Sequence, residues 1–309
     1  MGGLLFPFGC GAELSAFPPP RRTPPGQNPR MGSRRFVLTS RRGEPIRGDV
    51  RFADEGGCRP VVVVSHGFKG FKDWGFHPWL GERLAASGFV CVHFNFSRNG
   101  VGEDLLEFTD LDRFRRNTVS VEADDLATVL SELSTPGGVF ADVPLDPARV
   151  GLLGHSRGGG VSLLVASETP SVRALVTWAG VATFDRFSDA ALQELWRRQG
   201  YIEVMNARTG QMMPIGVEAL DDYLANRERF DLLAAVSRLS CPYRIVHGTG
   251  DESVPFAEAE ALHAAGERTD LVRLEGAGHT FGATHPFGGT TPDLARALAA
   301  AVEWFSKSL

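Results

Sequence analysis

Val150-Gly151-Leu152-Leu153-Gly154-His155-Ser156-Arg157-Gly158-Gly159-Gly160-Val161-Ser162-Leu163-Leu164-Val165-Ala166 decides how this chain is read. The four residues before Gly154 have the pattern of a buried strand, and the six from Val161 that of a buried helix. A sharp turn from strand to helix strains the backbone of its central residue and needs small neighbours two before and two after it. Gly154 and Gly158 meet that need, which leaves the Ser156 hydroxyl projecting above a sheet. With 36 glycines and 19 serines in the chain, Gly-x-Ser-x-Gly is expected by chance roughly 0.26 times. The flanking strand and helix therefore carry the reading, and the plain alternative is a glycine-rich turn without chemistry.

Outward from this turn, short β-branched runs alternate with segments of helical period from residue 34 onward. That order predicts an α/β protein with a mostly parallel sheet covered by helices. Strands are expected at residues 35–39, 48–53, 61–65, 89–94, 150–153, 174–178, 243–247 and 271–274. Val61-Val62-Val63-Val64 is apolar on both faces, as a central strand requires. Residues 78–86 form a helix with Leu80 and Leu84 inward and Gly88 as its C-cap. Val119, Ala123, Leu126, Leu130 and Leu133 make one apolar helical stripe. Thr291 caps a last helix that has Pro292 at its first position.

The alternation breaks between Trp178 and Tyr243, a connection several times the usual length. Residues 182–240 are read as an inserted cap, with helices at 190–198 and 217–236 and a turn at 206–210. Seven of the 19 prolines fall in residues 1–30, which have no periodicity. Residues 1–33 are read as a disordered N-terminal extension and 34–309 as one domain. A signal peptide is disfavoured because no basic residue precedes the short run Gly3 to Phe8 and Pro7 interrupts it. Met31 is an alternative start.

A serine hydroxyl is a poor nucleophile near neutral pH unless an imidazole takes its proton and a carboxylate orients that imidazole. Asp251 follows the strand at 243–247, in the loop where parallel-sheet enzymes gather reactive groups, with Glu252 as reserve acid. Its plain reading is a turn aspartate. His279 follows the last strand, whereas His285, the nearest competitor, sits further on beside Pro286. Ser156, Asp251 and His279 occur in the order of a nucleophile-elbow enzyme. Two N–H donors for a developing oxyanion are expected from the backbone of Arg157 and of Phe68, in the loop Ser65-His66-Gly67-Phe68. His66 is read as a brace for that loop.

On His66-Gly67-Phe68, the elbow from Gly154 to Gly158, Asp251 and His279, residues 34–309 resemble the α/β-hydrolase superfamily. Within it they are similar to serine esterases near the dienelactone hydrolase, cinnamoyl-esterase and acylaminoacyl-peptidase groups. The resemblance implies an eight-stranded, mostly parallel sheet and hydrolysis of carboxylic esters through an acyl-enzyme on Ser156, without metal or organic cofactor. In Phe94-Asn95-Phe96-Ser97-Arg98-Asn99-Gly100, Asn99 separates the Arg-Gly pair those relatives carry. Ser156 argues against dienelactone hydrolysis, which uses a cysteine, and against dehalogenation, which uses an aspartate.

Amide cleavage by the same three groups is the alternative, and a ligand-binding module without turnover is a third reading. Trp74, Phe184, Phe187, Met205 and Met212 are candidates to bind substrate, although such residues more often simply pack a cap onto its domain. A net charge of -5 argues against nucleic acid or an anionic membrane as partner. A small ester is the expected partner. Four scattered cysteines read as free thiols, and with no export signal they point to the cytoplasm. No apolar run approaches the about 20 residues that span a bilayer.

Overall fold

The computed structural model describes residues 31–54, 56–104, 106–186, 189–206 and 209–309. Its strands are β1 (Met31–Thr39), β2 (Pro45–Ala53), β3 (Arg59–Ser65), β4 (Val90–Phe94), β5 (Leu145–His155), β6 (Val172–Trp178), β7 (Tyr201–Met205), β8 (Met212–Gly216), β9 (Tyr243–Gly248) and β10 (Thr269–Leu274). Its helices are α1 (His77–Ala86), α2 (Leu111–Arg115), α3 (Val119–Glu132), α4 (Arg157–Glu168), α5 (Ala190–Gln199), α6 (Val217–Ala225), α7 (Leu232–Ser237), α8 (Phe256–Ala264) and α9 (Pro292–Ser308).

Eight strands form one sheet in the order β1-β2-β4-β3-β5-β6-β9-β10. β2 pairs antiparallel with both β1 and β4, and every other pair in this sheet is parallel. β3 lies between β4 and β5, so all four valines from Val61 to Val64 are buried, and the pleat divides them between two cores. Val61 and Val63 pack with the inward faces of α3, α4 and α7, whereas Val62 and Val64 pack with α1 and α9. A leucine cut to alanine in either layer, Leu152 or Leu153 for example, is expected to cost about 2–5 kcal/mol. α9 opens as the sequence predicts, with the Thr291 hydroxyl accepting from Leu294 N.

Three expectations need correction. The strand β1 begins at Met31, because Met31–Ser33 pair with Arg51–Ala53 and so belong to the sheet, not to an extension. The remainder of the expected disordered segment lies outside the described residues. The insertion between β6 and β9 also contains a hairpin, β7 with β8, where only a turn was expected. The helix expected at 217–236 is two: α6 ends at Ala225 with Asn226 as its C-cap, and Asp231 starts α7 by accepting from Ala234 N. α7 packs against α4 and α8, in the main layers.

The inserted segment is tied to the body by polar contacts as well as burial. Ser120, in the first turn of α3, donates from both its backbone N and its hydroxyl to the Asp222 carboxylate on α6. Trp196 is buried, and its indole N–H donates to Ile215 O at 2.8 Å, fixing α5 against β8.

Candidate active site

Ser156 stands between β5 and α4 with φ 57° and ψ -124°, a left-handed backbone that a non-glycine residue adopts at a cost of about 1–3 kcal/mol. The surroundings hold it there: its N–H donates to Trp178 O at 2.9 Å and its carbonyl accepts from Gly159 N at 2.9 Å. The small flanking residues are required by contact. A Cβ at Gly158 would collide with the carbonyl oxygens of Ser65 and His66, and one at Gly154 with the backbone of Gly158 and Gly159.

Asp251 and His279 leave β9 and β10 at the same sheet edge. His279 Nε2 lies 3.0 Å from Ser156 Oγ, and its Nδ1 lies 2.8 Å from Asp251 Oδ2. A carboxylate only accepts, so Nδ1 carries the proton and Nε2 offers its lone pair to the serine hydroxyl. Asp251 is buried, and its Oδ1 accepts from Ser253 N at 2.8 Å and Val254 N at 2.9 Å. Nε2 of His247 lies 3.3 Å from Oδ2 and 2.9 Å from Val254 O. Burial alone would raise the Asp251 pKa, but the hydrogen bonds from His247, His279 and Val254 outweigh it and hold the carboxyl well below the usual range.

The loop after β3 lies on the nucleophile: a Cβ at Gly67 would sit 3.0 Å from Ser156 Cβ. His66 is buried, donates from Nδ1 to Gly67 O at 2.9 Å and accepts at Nε2 from Phe96 N at 3.3 Å. Burial pushes its pKa down to about 4 despite the Gly67 bond, so it is a neutral brace. Arg157 occupies the first position of α4, where the backbone N–H has no acceptor within the helix. Its guanidinium is fixed from two sides. Nε donates to buried Glu122 at 2.7 Å, and the group lies 5.5 Å from the centre of the Phe68 ring. The other Glu122 oxygen accepts from Asn117 at 2.7 Å.

A cavity of about 190 Å³ opens onto Ser156. Phe68 and Arg157 form its floor with the serine, and Val119, Phe184, Trp196, Ile215 and Leu220 give it apolar walls. Thr183, Asp185, Arg186 and Tyr223 add polar groups that the sequence reading missed.

Of the five candidates for substrate contact, Phe184 lines this cavity and Phe187 lies outside the described residues. The other three are displaced from it. Trp74 is core, edge-on to Phe76 and stacked on His285. Met205 and Met212 sit on the hairpin at 58% and 44% exposure, while neighbouring Met213 takes the inward side and is fully buried. The strand period of two makes the difference, and a turn reading of that segment had no such period. His285 accepts from Gly75 N at 3.0 Å and so braces the loop ahead of α1, and Glu252 is exposed.

Among the described residues, no group of three or more His, Cys, Asp or Glu is arranged to hold a metal ion, and no helix is long and apolar enough to cross a membrane.

A sheet of this order with a serine elbow at its carboxyl edge defines an α/β hydrolase. A model of the alpha/beta hydrolase family matches residues 61–291, and the chain belongs to that family. It is 26% identical over 129 residues to Cutinase 1 of Thermobifida cellulosilytica, a match covering 42% of this chain and 42% of the cutinase. It is 25% identical over 235 residues to an uncharacterized peptidase of Bacillus subtilis, covering 74% of this chain and 32% of the peptidase. The chain thus spans less than half the length of these curated relatives. The structure of Est1E from Butyrivibrio proteoclasticus shares the fold, with a TM-score of 0.62 at 18% identity over 89% of this chain and 98% of Est1E.

Proposed function

We propose that this chain is a serine hydrolase that cleaves carboxylic esters of small molecules through an acyl-enzyme on Ser156. The observation that carries the reading is the continuous hydrogen-bond chain from the Ser156 hydroxyl through His279 to Asp251. His279 Nε2 takes the hydroxyl proton as Ser156 Oγ attacks the ester carbonyl, and returns it to the departing alcohol. A water then enters, gives its proton to the same nitrogen and attacks the acyl-enzyme, and Ser156 leaves as the hydroxyl. Asp251 remains ionised and stabilises the imidazolium formed in each half. The backbone N–H groups of Arg157 and Phe68 receive the oxyanion.

The apolar walls favour acyl groups of aliphatic or aromatic character, and likeness to a cutinase is consistent with an ester substrate. Ser156→Ala is expected to lower kcat on p-nitrophenyl esters by about 10⁴-fold or more with unchanged circular dichroism. Retention of most activity would refute the assignment. Amide cleavage is the second reading, favoured by the match with the B. subtilis peptidase over most of this chain. Paired p-nitrophenyl esters and p-nitroanilides of one acyl group separate the two.

A further inference from the structure

Three charged side chains line the cavity above Ser156, and their surroundings differ. Arg157 is neutralised by Glu122 at 2.7 Å. Arg186 is neutralised by Glu258, to which it donates through both terminal nitrogens at 2.7 and 2.9 Å. Asp185 has no such counter-ion: among the described residues no cation lies within ion-pair distance of its carboxylate. Tyr223, which lines the same cavity, is neutral, and burial first and then the charge of Asp185 raise its pKa. The Arg227 guanidinium lies 5.7 Å from the centre of the Tyr223 ring, and no ion pair joins it to Asp185. Of the three charged side chains that line the cavity, Asp185 is thus the one without an ion-pair partner among the described residues. Phe184, Trp196 and Tyr223 give the same cavity an aromatic lining. A carboxylate beside aromatic rings suits an organic ammonium, which gains a charged hydrogen bond and attraction to the π faces.

Resting on the hydrolase reading for its catalytic meaning, we propose that this cavity recognises a protonated amine, so that the substrates are esters with an ammonium on the apolar group bound above Ser156. Asp185 is the specificity residue.

The test compares 2-phenylethylammonium with its neutral counterpart 2-phenylethanol, by calorimetry and as competitive inhibitors of p-nitrophenyl acetate hydrolysis. The ammonium is expected to bind the wild type about tenfold tighter or more, with the difference shrinking as ionic strength rises. Asp185→Asn should abolish the preference, and Tyr223→Phe, which keeps the charge, should retain it. Equal binding of the two compounds by the wild type, or a preference insensitive to salt and retained in Asp185→Asn, would overturn the proposal. Should Asp185→Asn fail to fold, the wild-type comparison and its salt dependence decide alone. Ammonium-selective binding in a protein that turns over no ester would count against the hydrolase reading and leave the recognition site standing.

Discussion

His155 donates from Nε2 to the main-chain carbonyl oxygen of His279 at 3.0 Å, and the two rings lie 4.8 Å apart. The residue before the serine thus grips the backbone that carries the proposed base. Because a carbonyl can only accept, His155 holds its proton on Nε2. On its other side the ring meets Phe76 edge-on, with centroids 5.4 Å apart, so it has little freedom to turn away.

His155 is accordingly a positioning residue. His155→Leu is expected to lower kcat about 10- to 100-fold with little change in KM, since a small displacement of the imidazole is felt in the chemical step. His155→Gln, whose amide N–H can reach the same carbonyl, should restore most of the loss. Steady-state kinetics on a p-nitrophenyl ester checks this. Equal losses in the two variants would point to packing alone.

The main sheet is legible in the sequence because its strands are buried and β-branched. The run from Val61 to Val64 admits no exposed position, and the elbow glycines are dictated by collisions with the carbonyls of Ser65 and His66 and the backbone of Gly158. The reactive groups are legible because each follows directly from a strand end. The insertion is not. Its strands have five residues each with mixed polarity, and its apolar side chains have two surfaces to choose between, solvent-facing for Met205 and core for Met213. Tyr223 and Asp185 come together only through the fold, from a helix and a loop with no shared periodicity. Asp231 was readable as a helix cap, and the charged segment 226–231 ahead of it argues for the break that the structure contains.

Asp251 and its neighbour Glu252 differ sharply in setting. The first is buried against two backbone N–H groups and two imidazoles, and the second is exposed. Asp251→Asn should lower kcat by about 10⁴-fold, because the amide leaves His279 in the wrong tautomer and does not stabilise its cation. Glu252→Gln should remain within about twofold of wild type, as expected of an exposed carboxylate. A large loss on changing Glu252 would transfer the orienting role to it. Pre-steady-state release of p-nitrophenol, which isolates the acylation step, makes the comparison.

Asp125 gives the fold a pH dependence of its own. It lies on α3 at 1% exposure, with Oδ2 accepting from Ser97 N at 2.7 Å. Burial, opposed by the bond from Ser97 N and assisted by the nearby charges of Glu122 and Glu44, pushes its pKa up from 3.8 to about 7. Between those values the folded chain keeps a proton that the unfolded chain has released, so this group's contribution to stability is present below about pH 4 and is lost as pH rises through about 7. Asp125→Asn keeps an acceptor for Ser97 N and removes the titration. The unfolding free energy of wild type minus that of the variant, from urea titrations at several pH values, should fall by up to about 1.4 kcal/mol per pH unit across that window and level off above it. A difference that rises with pH would mean that the buried carboxylate is stabilised as the anion, and that Ser97 outweighs burial at this site.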